Sequence, residues 1–173
     1  MITPRVSAII PAYNAENTIC SAIDSALAQD FSDLEVVVVN DGSTDSTRSI
    51  IEGYGSRITM VNQENRGASA ARNAGAQAAR GEYLAFLDAD DLWGADKVSR
   101  TCAALDSNPG ASLVFSDYRQ MTGDREAGSF TFGAAPSMDE MLTRICEILP
   151  STLRSRSRSS YFCTECLNRW SWI

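Results

Sequence analysis

Asp88, Asp90 and Asp91 place three carboxylates within four positions, directly after the run Tyr83-Leu84-Ala85-Phe86-Leu87. Carboxylates that close repel one another and raise each other's pKa unless a cation sits among them. Hard oxygen ligands on a short loop suit Mg²⁺ or Mn²⁺, which often bridge to substrate phosphates. A solvated acidic turn capping the next helix uses the same residues, so both readings stand on spacing alone. Other groups bear on the choice. Asp41, in Asn40-Asp41-Gly42-Ser43, can accept a hydrogen bond from a base N–H or a ribose hydroxyl, or can form a plain Asx turn. Tyr13 can stack on a planar base or be a half-buried loop aromatic. Arg66 and Arg72 carry charge suited to phosphate, or simply dress a helix surface.

Composition narrows the chemistry. The 173 residues contain no His, which removes Ser-His-Asp and Cys-His catalysis and any His-ligated metal. Acid/base work then falls to carboxylates. The net charge of -7 disfavours nucleic acid as the partner, and an anionic substrate would need a local Arg or metal. Five scattered Cys (20, 102, 146, 163 and 166) make no disulfide framework and suggest a reducing, cytoplasmic compartment. No signal peptide is expected at Met1-Ile2-Thr3-Pro4-Arg5, and no apolar run reaches the roughly 20 residues of a membrane span.

The elements that would position these groups alternate. Strands are expected at Val6–Ile10, Glu35–Asn40, Ile58–Val61, Tyr83–Leu87 and Leu113–Phe115. The second is an unbroken apolar run, as in a parallel strand buried on both faces. Helices are expected from Thr18 to Ala28, capped by Asn14 or Asn17, and from Ser43 or Thr44 to about Tyr54. Two more run from Ala68 to Ala79, rich in small residues, and from Ala95 to Leu105. Strand–helix alternation predicts a Rossmann-like, doubly wound, mostly parallel α/β sheet flanked by helices. The loops Pro11–Asn14, Asn40–Asp45, Asp88–Asp91 and Ser116–Tyr118 then share one sheet edge. Beyond Gly123 a capping box at Ser137–Glu140 opens a helix to Glu147.

Taken together these groups describe one ligand: a nucleotide with its base near Tyr13 and Asp41 and its diphosphate on a metal held by Asp88 and Asp90. Neither a G-x-x-x-x-G-K-[ST] loop nor a G-x-G-x-x-G after the first strand is present, so a dinucleotide oxidoreductase is not expected. A nucleotidyltransferase would open with a Gly-rich basic loop, which Pro11-Ala12-Tyr13-Asn14 is not.

Four ordered motifs resemble those of the family 2 glycosyltransferases. They are Val6 to Asn14, Asn40 to Asp45, Asn65 to Asn73, and Gly81-Glu82-Tyr83 through Asp91, and the resemblance covers roughly Val6 to Tyr118. It implies a glycosyltransferase A-type fold, a UDP-sugar donor, a divalent cation and a carbohydrate or lipid-linked acceptor, as in polysaccharide biosynthesis. Peripheral membrane association would come through the acceptor. On that pattern Pro11 and Tyr13 lie at the nucleotide, with Arg66 beside it, and Asp41 lies at the base. Asp88-Ala89-Asp90 is the D-x-D, Asp90 the metal ligand and Asp88 the ribose or second metal ligand, while Asp91 caps the next helix. Inverting members carry a later acidic motif that supplies the general base. No catalytic base is recognisable here, so a donor-binding remnant is the alternative to a working transferase.

The expected domain spans 1–150. From Leu153 the composition shifts to alternating Ser and Arg and then to Cys and Trp, so 151–173 is expected to be an atypical, frameshifted or truncated tail. If neither other frame of the coding DNA continues the family pattern, that expectation fails. Cys163-x-x-Cys166 is half of a zinc pattern without a second pair.

Overall fold

The computed structural model describes residues 3–111, 113, 114, 116, 118–122, 125–130, 171 and 172. In chain order the elements are β1 (Val6–Ala12), α1 (Ile19–Leu27), β2 (Leu34–Asp41), α2 (Thr47–Glu52), a 3₁₀ turn at Gly55–Arg57, β3 (Thr59–Gln63), α3 (Ala68–Ala78), β4 (Tyr83–Phe86), α4 (Lys97–Asp106), β5 (Tyr118–Thr122), β6 (Arg125–Phe130) and β7 (Ser171–Trp172).

Every residue of β1 is buried, as is β2 from Val36 onward, because helices cover both faces of these strands. Strand alternation sorts their side chains. Ala8, Ile10, Val36 and Val38 pack with Ile19, Ala22, Ile23 and Ile51 of α1 and α2. Val6 and Ala85 pack with Val98 and Cys102 of α4. Ile9, Val37 and Leu84 face Ala76 of α3 on the opposite side. The small residues of α3 allow a close approach: a Cβ at Gly75 would lie 2.4 Å from Ile9 Cγ2 and 3.1 Å from Val39 Cγ2.

The sheet runs β3-β2-β1-β4-β7 with every neighbouring pair parallel. The chain steps outward from β1 to β3, then returns so that β4 lies on the other side of β1. The return is fastened at the amino edge of the sheet. Buried Ser7 Oγ donates to Glu35 Oε1 at 2.6 Å and accepts from Gly81 N at 2.8 Å. Glu35 also accepts from the backbone and guanidinium of Arg80. Desolvation opposes the charged form of Glu35, but the bonds from Ser7 and Arg80 prevail and hold its carboxyl below the usual range. The reversal in strand order opens a crevice above β1 and β4, where parallel sheets take their ligands.

Several local expectations are corrected. Of the strand expected at Leu113–Phe115, Leu113 makes an isolated bridge, Val114 is in no strand and Phe115 lies outside the described residues, while the described strand beside β4 is β7. A short apolar run marks burial; it does not specify which segment the chain brings back to a sheet edge. Neither Asn14 nor Asn17 caps α1, whose N-cap is Thr18. The second helix begins at Thr47, later than Ser43 or Thr44, because those residues are bonded across to the first strand-end loop. Asp91 does not cap α4, whose N-cap is Asp96. The helix expected from Ser137 to Glu147 lies outside the described residues, as does the tail 151–173 apart from β7. The described residues divide into two compact units, one of residues 3–114 with 171 and 172 and one in which β5 and β6 form an antiparallel pair. No helix among the described residues is long and apolar enough to cross a membrane.

Candidate functional site

A cleft of about 530 Å³ opens at the carboxyl ends of β1, β2 and β4. Pro11, Tyr13, Asp41, Asp88 and Asp90 all line it. Three of the four strand-end loops expected at this edge therefore converge, while Tyr118 belongs to the β5–β6 unit. Arg66 is absent from the lining, and Arg72, one helical turn into α3, is present. Arg66 contributes through its backbone, as described below.

The loop after β1 is clasped to the loop after β2. Asn14 adopts φ 49°, a left-handed conformation that Asn tolerates. Its backbone N donates to Ser43 Oγ, and its Oδ1 accepts from Thr44 N at 2.8 Å. Ala15 N donates to Thr47 Oγ1 at 2.8 Å. Glu16 is bonded in both directions: its N donates to Asp45 Oδ2, and its Oε2 accepts from Ser46 N. Desolvation works against the Asp45 carboxylate, but bonds from Thr47 and Glu16 outweigh it and hold its pKa down. This clasp fixes the backbone after Tyr13 as the β1–β2 ladder fixes Ala12 before it, and the Tyr13 side chain remains 50% exposed and available for stacking.

Asp41 is only 2% exposed. The β2–β3 register sets Gln63 opposite it, and Gln63 Nε2 donates to Asp41 Oδ1 at 2.6 Å. Arg66 N donates to the same oxygen and Gly67 N to Oδ2, each at 2.9 Å. Asp41 thus ties the Asn65–Gly67 turn down beside β2, and Gly42 (φ +71°) lets that turn approach. Gly67 and Ala68 then present the start of α3 to the cleft, its small side chains leaving room. Backbone N–H groups at a helix start favour anions. Nothing in the sequence of Asn65-Arg66-Gly67 reports which carboxylate this turn bonds to.

At the third loop, Arg72 Nη2 pairs with Asp88 Oδ1. Asp90 is exposed beside it, and Asp91 N closes a turn onto Asp88 O at 3.0 Å. Desolvation, with the charges of Asp90 and Asp88 behind it, pushes the Asp91 carboxyl up. The loop is thus a locus of negative potential already partnered by one cation. No group of three or more His, Cys, Asp or Glu side chains suited to a metal is found among the described residues. Two carboxylates on a cleft wall fit a divalent ion that completes its shell with substrate phosphate oxygens, and not one caged by protein alone.

Comparison with known proteins agrees with this geometry. The model of the family described as glycosyl transferase family 2 matches residues 7–161. An uncharacterized glycosyltransferase of Rickettsia typhi is 46% identical over 96 residues, covering 56% of this chain and 30% of its own. The Escherichia coli protein WfgD, a UDP-Glc:alpha-D-GlcNAc-diphosphoundecaprenol beta-1,3-glucosyltransferase, is 37% identical over 127 residues, covering 72% of this chain and 50% of its own. Among solved structures, S. aureus TarS 1-349 in complex with UDP-GlcNAc superposes with a TM-score of 0.64 at 25% identity, over 98% of this chain and 56% of that one. The mannosyltransferase PcManGT from Pyrobaculum calidifontis, with GDP-Man and Mn²⁺, gives 0.59 at 30% identity, over 69% and 37%. The chain spans 30% and 50% of the length of these two curated relatives.

Proposed function

We propose, from the premise that the chain belongs to glycosyl transferase family 2, that its cleft binds a UDP-sugar with a divalent cation and serves inverting transfer of the sugar to an acceptor hydroxyl. The observation that carries this reading is the meeting of Tyr13, Asp41, Asp88 and Asp90 in one cleft from loops far apart in sequence. Tyr13 stacks on the base, Asp41 accepts a base N–H, and the diphosphate runs past the start of α3 toward Asp88 and Asp90. Similar structures support the ligand class: TarS in complex with UDP-GlcNAc and PcManGT with GDP-Man and Mn²⁺. A reducing, cytoplasmic setting belongs to the same proposal, and the scattered cysteines support it.

In the transfer the acceptor oxygen attacks the anomeric carbon, the bond to the diphosphate oxygen breaks, and the acceptor proton passes to a base. A cation bound at Asp88 and Asp90 would neutralise the departing diphosphate. Until then the Arg72 guanidinium offsets the Asp88 charge, and Asp88 and Arg72 can both turn to the donor when it enters. Asp41 is engaged by three donors, and Asp88 and Asp90 face the leaving group, so none of them is placed as the base.

That last point favours a second reading, a donor-binding remnant in which binding survives without transfer. Titrating the protein with nucleotide sugars in Mn²⁺, and assaying nucleoside diphosphate release separately, distinguishes the two. Binding with release onto an acceptor supports the transferase, binding without release under any condition supports the remnant, and no nucleotide binding at all rejects both.

A further inference from the structure

We infer that Gln63 sets the base preference of the cleft: it admits a base that offers Asp41 a single N–H, as uracil does, and refuses guanine, which offers two. The inference rests on the reading of the cleft as a nucleotide-sugar site. The likeness to solved structures leaves the base open, since neighbours were solved with UDP and with GDP-Man.

A carboxylate has about four lone-pair positions, two on each oxygen. Asp41 Oδ1 receives two donors, Gln63 Nε2 at 2.6 Å and Arg66 N at 2.9 Å, and Oδ2 receives one, Gly67 N at 2.9 Å. One position is left, on Oδ2. The amide of Gln63 must present its nitrogen here, because an ionised carboxylate only accepts. Guanine offers N1–H and N2–H side by side, and a carboxylate satisfies both only by using both oxygens. With Oδ1 filled, one guanine donor would be desolvated without a partner, which is the costly outcome in a closed site. Uracil offers a single N–H and loses nothing. Burial points the same way: Asp41 lines the cleft with 2% of its surface exposed, room for one contact and not for a two-point pairing. Of the donors on Oδ1, Gln63 is the one whose side chain can be changed without altering the backbone.

The test is calorimetric titration of UDP and GDP, with Mn²⁺, into the wild type, Gln63→Met and Gln63→Leu, with melting curves to establish folding. The wild type is expected to bind UDP on the order of tenfold more tightly than GDP, the value of one well-placed bond to a charged acceptor. Either folded variant should close most of that gap by gaining GDP affinity. Equal affinities in the wild type overturn the inference while leaving the nucleotide reading intact. So does a UDP preference that persists unchanged in a folded variant. If neither variant folds, the wild-type ratio decides. Failure of the wild type to bind either nucleotide removes the nucleotide reading itself, and this inference with it.

Discussion

Gly42→Ala probes how the base end of the cleft is held, and Gly55→Ala supplies its internal control. Both glycines have positive φ, +71° and +55°. Each alanine therefore bears a left-handed backbone cost of about 1–2 kcal/mol. Their surroundings differ. The added Cβ meets nothing within 4 Å at Gly55, whereas at Gly42 it would lie 2.6 Å from Asn65 N and 3.2 Å from Asn65 Cβ. A backbone nitrogen cannot rotate away, so the Asn65 turn must withdraw until the contact passes 3.0 Å. The next two residues are those whose N–H groups bond to Asp41 at 2.9 Å. Losing one such bond to a buried carboxylate costs about 1.5–3 kcal/mol. At about 2–4 °C per kcal/mol for a chain of this size, Gly42→Ala should melt about 3–12 °C below Gly55→Ala. UDP affinity, read by calorimetry with Mn²⁺, should be unchanged in Gly55→Ala and fall tenfold or more in Gly42→Ala. Equal melting temperatures, or unaltered UDP binding in Gly42→Ala, would refute the claim that this close approach holds the site.

Further outcomes follow from the same contacts. Asp90→Asn should abolish the Mn²⁺ dependence of UDP binding while leaving the melting curve alone, since Asp90 is exposed; a variant that still gains affinity from Mn²⁺ sinks the metal assignment. Tyr13→Ala should weaken UDP binding by about 1–3 kcal/mol, and Tyr13→Phe should restore it; equal losses in both would point to the hydroxyl and away from stacking. Glu35 is held below its ordinary value of 4.5, so its contribution to stability is present above that pH and is lost as the pH falls through the depressed folded value. Urea unfolding against pH should show that acid limb flattened in Glu35→Gln, and an unchanged limb would disprove the Ser7–Glu35–Arg80 clamp. Gly75→Ala should destabilise the fold by about 1–3 kcal/mol through overlap with Ile9, measurable by urea unfolding; a neutral result would mean that α3 can lift from the sheet.

Much of the architecture was legible in the chain before any coordinates. The valine run of β2 read as a strand covered on both faces, the short apolar run of β1 as a buried strand, and the Ala-rich stretch from Ala68 as a helix whose small residues let it pack close. The carboxylates Asp88 and Asp90 could be placed at a strand's carboxyl end because hydrophobic periodicity and turn residues are local signals. Five of the six nucleotide- and metal-site residues named from sequence line the cleft, as the parallel alternation requires.

What the tertiary structure alone decided are the contacts between loops. Asn14 looked like a helix cap and is a clasp on Thr44. Arg66 and Arg72 both carried charge suited to phosphate, yet the backbone N–H of Arg66 serves Asp41 while Arg72 lines the cleft. Asp41 could be read as an acceptor for a base or a ribose hydroxyl or as a plain Asx turn, and in the fold it accepts from Gln63, Arg66 and Gly67. Such bonds join residues that are tens of positions apart. They depend on sheet order and on the register that sets Gln63 opposite Asp41. Residue types state which hydrogen bonds are possible, and only the packed strands determine which of them are made.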